Sequence, residues 1–298
     1  MKALVLSGGG SKGAYQVGAL MWLLRERDHE YQIISGTSVG ALNGAWLAQY
    51  GPGKGAEAAL ALQNLWHEID NDKIWQKWYW GLLGPLPAFM PKWLGGKQSV
   101  YSTKPLRELV TKKLRPKAIR DSGKLLRVGA VSLTTGKSRV WTEKDVADMA
   151  KAVLASSAFP MFFEPVRVGS ELYTDHGVRE TTPIEQAIMA GATEIDVITT
   201  GPAKVIGKFD NRANGLALVQ RTLDAMNAEI ETWDRKAAEL LNALVDLGQA
   251  PPHVRKVTIT TLDPNAAKKS LGDPLDFNPR QIRANINRGY EDASKLWK

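Results

Sequence analysis

The residues that could do chemistry stand in two short glycine-rich blocks near the start of the chain. GGGSKG, Gly8 to Gly13, comes after a short apolar run and opens a helical pattern. Glycines there let the backbone turn tightly and aim its N–H groups outward, at the positive end of a helix dipole. Such a loop binds negative charge. That charge could be a pyrophosphate, since the string satisfies GxGxxG, or the oxyanion of an acyl-transfer transition state. A dinucleotide-binding unit needs an acid at the end of its second strand to hold a ribose, and here that strand ends Ile33, Ile34, Ser35. In place of the acid comes GTSVG, Gly36 to Gly40, which matches GxSxG in the strand-to-helix setting that motif requires. Small residues around Ser38 permit a sharp turn that presents its hydroxyl at a helix N-terminus, where the dipole favours alkoxide character. The commoner job for a serine at such a junction is to cap the helix. The context favours a nucleophile, because two successive strand–loop–helix units place backbone donors and a serine at the same C-terminal edge of a parallel sheet. That edge is where such sheets bind ligands.

A serine nucleophile needs a base, and the chain has four histidines, His29, His67, His176 and His253. His29 in a polar turn and His67 beside Trp66 on a helix read as surface or packing residues. His253, after Pro251 and Pro252, would complete the order Ser, Asp, His of α/β-hydrolases, but that fold sets its nucleophile after several strands, whereas Ser38 comes after the second. The absence of cysteine excludes disulfides, thiolate metal sites and a cysteine nucleophile.

The elements that must position these blocks alternate between strand and helix, which predicts an α/β fold with a largely parallel sheet. Strands are expected at Lys2 to Ser7, Gln32 to Ser35, Leu125 to Leu133, Pro165 to Val168, Glu194 to Thr199 and Lys256 to Thr261. Helices are expected at Ser11 to Arg27, Ser38 to Gln49, Pro105 to Leu114, Asn214 to Leu247 and Pro279 to Lys298. The fourth carries apolar residues at Leu216, Val219, Leu223, Met226, Ile230, Trp233, Ala237, Leu240, Leu244 and Leu247, spaced alternately three and four apart. A stripe of this kind is expected to pack on its own domain, with a seam between subunits as the alternative.

With 298 residues, 44% apolar and 23% charged, the composition is that of a globular protein and suits one large α/β domain. The longest uncharged apolar run, Trp78 to Met90, is interrupted by Gly81, Gly84, Pro85 and Pro87 and is too short to span a bilayer as a helix. The opening apolar run is likewise too short for a secretory signal, which predicts a cytoplasmic protein. Net charge is +8, but the basic residues are interleaved with acids and read as solvated surface, not as a nucleic-acid footprint. Five of the ten tryptophans, at 66, 75, 78, 80 and 93, fall in one glycine- and proline-broken segment flanked by Lys73, Lys77, Lys92 and Lys97. This pattern suits a lid over the site or a peripheral contact with a membrane surface, the competing reading being aromatic core.

Taken together, the blocks resemble the signature of patatin-like phospholipases: GGGSKG, then GTSVG about 25 residues on, then DHG at Asp175 to Gly177. ASSAFP, Ala155 to Pro160, is similar to the family's helix-ending segment, and Gly289 with Tyr290 to its amphipathic terminal helix, so the resemblance runs from Lys2 to about Tyr290. It implies a single hydrolase domain over 1–298, built as a three-layer α/β/α sandwich on a mostly parallel sheet, with the lid or insert at about 66–97. It implies an esterase or phospholipase A-type lipid acyl hydrolase in which Asp175 is the base for Ser38 and the N–H groups of Gly8, Gly9 and Gly10 form an oxyanion hole. Gly13, Gly36, Gly40 and Gly177 complete the motifs, and no cofactor or metal is required. Alternatives are a Ser38–Asp175–His253 triad, a lipid acyltransferase, and a non-catalytic lipid-binding or dinucleotide-binding protein. The sequence leaves the oligomeric state open. Three positions depart from the family pattern. Lys12 replaces the usual arginine of the glycine loop, keeping the charge without the planar fork, and is expected to be structural. His176 stands in place of a glycine after Asp175, where surface placement is favoured over a direct role. Thr181 replaces an asparagine before Pro183.

Overall fold

Strand β1 (Lys2–Leu6) alternates its side chains between two cores: Leu4 and Leu6 enter one, Ala3 and Val5 the other. A strand buried on both faces reads as a continuous apolar run, and it needs a helical layer on each side. The computed structural model describes residues 1–78, 96–201, 215–252, 254–264 and 270–298, apart from the side chains of 215–217 and 220. His253 and the stretch containing Trp80, Gly81, Phe89, Lys92 and Trp93 therefore lie outside the described residues.

After β1 come α1 (Gly13–Met21), β2 (Ile33–Gly36), α2 (Val39–Leu47), α3 (Gly55–Glu68) and the short α4 (Asn71–Ile74). A two-stranded ribbon, β3 (Gln76–Lys77) with β4 (Tyr101–Ser102), leads to α5 (Lys104–Lys113), α6 (Pro116–Asp121), β5 (Leu125–Ser132), β6 (Ser138–Thr142) and α7 (Met149–Ser156). The rest is β7 (Val166–Val168), β8 (Glu171–Asp175), α8 (Ile184–Met189), β9 (Glu194–Ile198), α9 (Gly215–Asp246), β10 (Thr258–Leu262) and α10 (Pro279–Leu296). The main sheet runs β10-β9-β1-β2-β5-β8-β7, with β6 also on β5; β10 through β5 are parallel, and β6, β8 and β7 are antiparallel additions. Helices α1, α2, α3 and α10 cover one face and α8 and α9 the other, giving a three-layer α/β/α sandwich. α1 and α10 cross at backbone contact. A β-carbon on Gly18 would sit 1.8 Å from the Ile286 carbonyl oxygen, and one on Gly289 would sit 1.9 Å from that of Tyr15.

All six expected strands form within two residues of their predicted ends, and four of the five helices do so too; the first begins as a 3-10 turn at Gly10–Lys12 and continues beyond α1 as a π-helix, Trp22–Glu26. Two expectations do not hold. Trp66 is buried, donates to Asn43 Oδ1 at 2.8 Å and stacks on Phe277, while Trp75 donates to the Leu275 carbonyl and packs against Tyr101 at 4.3 Å between ring centres. At the described start of the tryptophan-rich segment Trp66 is thus core and Trp75 is half-buried against it, while residues 79–95 of the expected lid lie outside the described residues. In α9, the apolar stripe does not pack inward as a whole. Met226, Trp233, Leu240 and Leu247 are 50% to 69% exposed, whereas Glu231 and Ala238 are buried. The face turned to the molecule is mixed: Ala238, Leu241 and Val245 pack on the second core, Leu223 and Ile230 line the cavity of the candidate site, and Asp234 accepts from the Thr182 N–H at 2.8 Å.

Toward the opposite edge of the sheet a different carboxylate is buried. Asp196 of β9 accepts from Tyr31 Oη at 2.7 Å and from Trp297 Nε1 at 3.3 Å, and Lys2 Nζ lies 3.0 Å away. His29 is part of this cluster, 3.5 Å from Asp196. Among the described residues no helix is long and apolar enough to cross a membrane.

Candidate active site

Ser38 sits between β2 and α2 at φ 56°, ψ −123°, a conformation that costs a residue with a β-carbon roughly 1–3 kcal/mol and persists only where its surroundings impose it. Those surroundings are visible. A β-carbon on Gly36 would lie 2.3 Å from the Gly40 carbonyl oxygen, and one on Gly40 would lie 2.2 Å from that of Leu6, so the elbow folds tightly against β1. Two serines at the end of α7 clamp it from outside. The Ser38 N–H donates to Ser156 Oγ at 3.0 Å, and Ser157 Oγ donates to the Ser38 carbonyl at 3.2 Å. These lie in the ASSAFP segment, whose serines carry no sequence signal that would tie them to the elbow.

The glycine loop lies alongside, with Gly8 close enough that a β-carbon on it would be 3.2 Å from Ser38 Cβ. The loop is fixed at both ends. The Gly8 N–H donates to the Thr181 carbonyl at 3.1 Å, Thr200 Oγ1 donates to the Gly8 carbonyl, and the Ser11 N–H donates to the Pro274 carbonyl at 2.8 Å. Gly9 and Gly10 have φ of 152° and 58°, and β-carbons there would collide with Thr200 Oγ1 at 1.9 Å and the Pro274 oxygen at 2.1 Å. The expectation that all three glycines offer donors therefore needs correction: the Gly8 N–H is already taken within the chain. Lys12 lines the same cavity and faces Asp224, whose carboxyl it pulls down against the upward push of burial.

Asp175 ends β8, opposite Ala130 of β5, and is buried. Its Oδ1 accepts from the Gly177 N–H at 2.7 Å. Oδ2 has no partner at full hydrogen-bond geometry, although the Ser38 side chain is near enough to act as a hydrogen-bonding neighbour that lowers the carboxyl pKa. Burial outweighs both contacts and raises that pKa from 3.8 to about 7.

His176 is not on the surface. It is buried, with its ring over Gly129 of β5, where a β-carbon would be 2.4 Å from the imidazole. It adopts an ordinary negative φ, so the β-carbon that replaces the family's glycine is accommodated without backbone strain. Nδ1 lies 3.3 Å from Thr37 Oγ1, and Thr37 Oγ1 donates its single proton to the Glu180 carbonyl at 2.9 Å. The imidazole must then be the donor, with its proton on Nδ1 and a bare Nε2 turned toward Glu180 Oε2 at 3.7 Å. Burial, with Arg179 adding to it, lowers the His176 pKa to about 4, and burial raises that of Glu180 to about 8. The ring therefore holds Thr37, the residue before Ser38, and does not reach the serine. Thr181 Oγ1 donates to the Gly177 carbonyl at 3.2 Å, while its own carbonyl holds Gly8, so this one residue ties the DHG block to the glycine loop.

Gly9, Gly10, Ser38 and Asp175 open into one cavity of about 450 Å³ whose wall is largely apolar, with Leu65, Leu109, Val110, Phe159, Phe163 and Ile230 among its lining. Beneath it, Trp66, Asn43 and Gln16 form a buried relay ending on the Ser7 carbonyl at 2.8 Å. Among the described residues no group of three or more metal-ligating side chains converges. A serine at a helix N-terminus, a carboxyl poised near neutrality, backbone donors and an apolar cavity are the parts that acyl transfer uses.

The family model described as patatin-like phospholipase matches residues 4–188, from β1 through the DHG block into α8, and the chain belongs to that family. The uncharacterized protein YqhO of Bacillus subtilis (strain 168) is 30% identical over 198 residues, 60% of this chain and 64% of that protein. The crystal structure of VipD from Legionella pneumophila aligns with 99% of this chain and 66% of its own, at 15% identity and a TM-score of 0.44. The chain thus spans under two thirds of the length of either relative.

Proposed function

We propose that the protein is a serine carboxylic ester hydrolase acting on lipid acyl esters, with Ser38 as nucleophile and Asp175 as its base. The observation that carries this reading is the pairing of a strained serine elbow with a buried carboxyl whose second oxygen has no other partner, both facing an apolar cavity.

Ser38 Oγ attacks the ester carbonyl carbon as its proton passes to Asp175 Oδ2, and the N–H groups of Gly9 and Gly10 receive the oxyanion. Collapse of the tetrahedral intermediate breaks the C–O bond, and Asp175 returns the proton to the departing alcohol. A water then attacks the acyl-serine as its proton passes to Asp175; collapse of the second tetrahedral intermediate breaks the bond from the acyl carbon to Ser38 Oγ, Asp175 returns the proton to Oγ, and the carboxylic acid leaves. A carboxylate of ordinary pKa is a weak base for a hydroxyl. Burial that raises Asp175 to about 7 narrows that gap, since a catalytic base works best near the operating pH. The cavity's aliphatic and aromatic wall suits an acyl chain, and family membership supports a lipid ester over a small polar one. His176 acts as a positioning residue: by holding Thr37 it fixes the residue from which the elbow turns.

A fluorophosphonate probe tests this directly, since it phosphonylates only an activated serine. Labelling of the wild type and its loss in Ser38→Ala, with turnover of soluble esters and phospholipids in parallel, is the expected result. A folded wild type that takes no label and hydrolyses neither ester class would end the proposal.

A further inference from the structure

Helix α9 carries a surface that nothing in the site explains. Of the eleven large apolar side chains that are exposed among the described residues, six (Leu218, Met226, Trp233, Leu240, Leu244 and Leu247) lie on this helix or one residue past its end. Scattered exposed leucines are ordinary, but a line of them on one helix face is a docking surface. Met226, Trp233, Leu240 and Leu247 recur every seven residues, and Leu223, Ile230, Ala237 and Leu244 occupy the intervening positions, which is the spacing of a helix–helix seam. The ridge from residue 226 to 247 is roughly 32 Å long at 1.5 Å per residue.

We infer that this ridge is where a second copy of the same chain docks, with the two α9 helices antiparallel. The exposed charges select the partner. Glu229 and Lys236 flank the ridge seven residues apart and are already drawn in over Trp233, whose Nε1 donates to Glu229 at 2.9 Å while Lys236 Nζ lies 4.6 Å from its ring centre. When two such helices run antiparallel about a dyad midway between 229 and 236, Glu229 of each copy meets Lys236 of the other. The same register brings the two copies of Trp233 together beside the dyad and sets Leu240 against Ala225 and Leu247 against Leu218, all of them exposed. A parallel pair would set Glu229 beside the other copy's Asp234, a like-charge contact, and Asp234 is already committed to the Thr182 N–H. An anionic membrane is disfavoured by the same residues, since Glu229, Lys236 and Glu239 bring two acids to one base, and Asp246 is paired with Lys256. Met226 belongs both to the ridge and to the cavity lining.

The chain has no cysteine, which makes the geometry easy to read. Sedimentation across a concentration series is expected to show twice the 32.7 kDa of one chain, and Leu240→Lys and Trp233→Lys each to weaken association roughly tenfold or more with helix content and soluble-ester turnover unchanged. Under mild oxidation, Glu229→Cys/Lys236→Cys is expected to cross-link into dimers. Leu247→Cys is expected to stay monomeric on denaturing gels, because the two copies of residue 247 lie roughly 43 Å apart, whereas a disulfide needs Cα atoms within about 7 Å. A wild type that stays monomeric at ~100 µM, a concentration at which even a weak micromolar dimer forms, would overturn the inference. So would cross-linking through Leu247→Cys but not through the 229/236 pair. Binding of monomers to phosphatidylserine vesicles that Leu240→Lys abolishes would reassign the ridge to lipid. Should Leu240→Lys fail to fold, the wild-type mass and the cysteine pairs decide the question alone.

Discussion

Two buried aspartates, Asp175 and Asp196, occupy the same sheet and face opposite fates. Asp196 is surrounded: a tyrosine hydroxyl and an indole N–H donate to it, and a lysine ammonium stands 3.0 Å away. Asp175 has one backbone donor on Oδ1 and a serine at loose range, with Oδ2 otherwise bare. A buried carboxylate costs free energy unless it is hydrogen-bonded and paired, and Asp196 has the partners that Asp175 lacks. The missing partners are what lift Asp175 to about 7 and leave an oxygen free to take a proton. Burial alone marks neither residue as reactive; the number of donors does.

The sharpest way to break this contrast is to neutralise each in turn. Asp175→Asn, like Ser38→Ala, is expected to cut kcat/KM roughly 10³-fold or more while the protein stays folded, whereas Asp196→Asn leaves turnover within a few-fold. Equal loss from both aspartates, measured on a soluble ester, would erase the distinction. Next in size is the oxyanion loop. Gly9→Ala drives a methyl into Thr200 and displaces a donor, for which a loss of roughly 10² to 10³ in kcat is expected. A Gly9→Ala enzyme with full activity would place the oxyanion elsewhere.

Acidity should report the contrast as well. Asp175 works as a base only when ionised, so kcat/KM is expected to rise with pH through about 7 and then level. The stability effect has the opposite slope. Because its folded pKa lies above the unfolded value, the folded chain holds this proton through a window in which the unfolded chain has released it, and stability falls as pH climbs from about 4 to about 7. Thermal unfolding of Asp175→Asn should lack that decline and exceed the wild type most clearly at pH 8. A variant that tracks the wild-type slope would mean that Asp175 is ionised throughout.

Smaller effects separate positioning from chemistry. His176→Ala is expected to lower kcat roughly tenfold with KM nearly unchanged, because the ring holds Thr37 and touches no substrate; His176→Asn, which retains a donor, should recover part of the loss. An unchanged kcat would make His176 mere filling. At the far end, Asp196→Ala strands the Tyr31 hydroxyl and should cost roughly 1–3 kcal/mol of stability, seen in denaturant melts, without altering the pH profile.

The parts of the molecule legible in the sequence were those set by local chemistry. The parallel strands announced themselves as apolar runs, and GTSVG and GGGSKG landed on one sheet edge because each comes after a strand and opens a helix. Strand β8, which carries Asp175, was not legible, since ELYTD is short and half polar and lies in the antiparallel part of the sheet, between β5 and β7. The clamps at Ser156 and Ser157 were hidden because a serine near a helix end has many commoner uses. Helix α9 misled for a physical reason. Periodicity finds the apolar stripe and takes it as the buried one, but this helix turns Asn227 and Glu231 toward the cavity, commits Asp234 to the Thr182 N–H and Asn242 to the Val257 carbonyl, and leaves Met226, Trp233, Leu240 and Leu247 exposed. Trp66 and Trp75 misled in the other sense, as indoles expected at an interface that instead find carbonyl and amide partners inside.

The fit between His176 and Gly129 bears on how such a chain can change over generations. The imidazole occupies the space that any side chain at 129 would fill, so a histidine at 176 is admissible only in a background that already has glycine there. Of the two substitutions that separate this chain from a form with glycine at 176 and a larger residue at 129, one order passes through an overpacked intermediate and the other through a small void. The void is the easier passage. On such a path loss of bulk on β5 comes before the histidine, because glycine at 129 is what makes room for the ring.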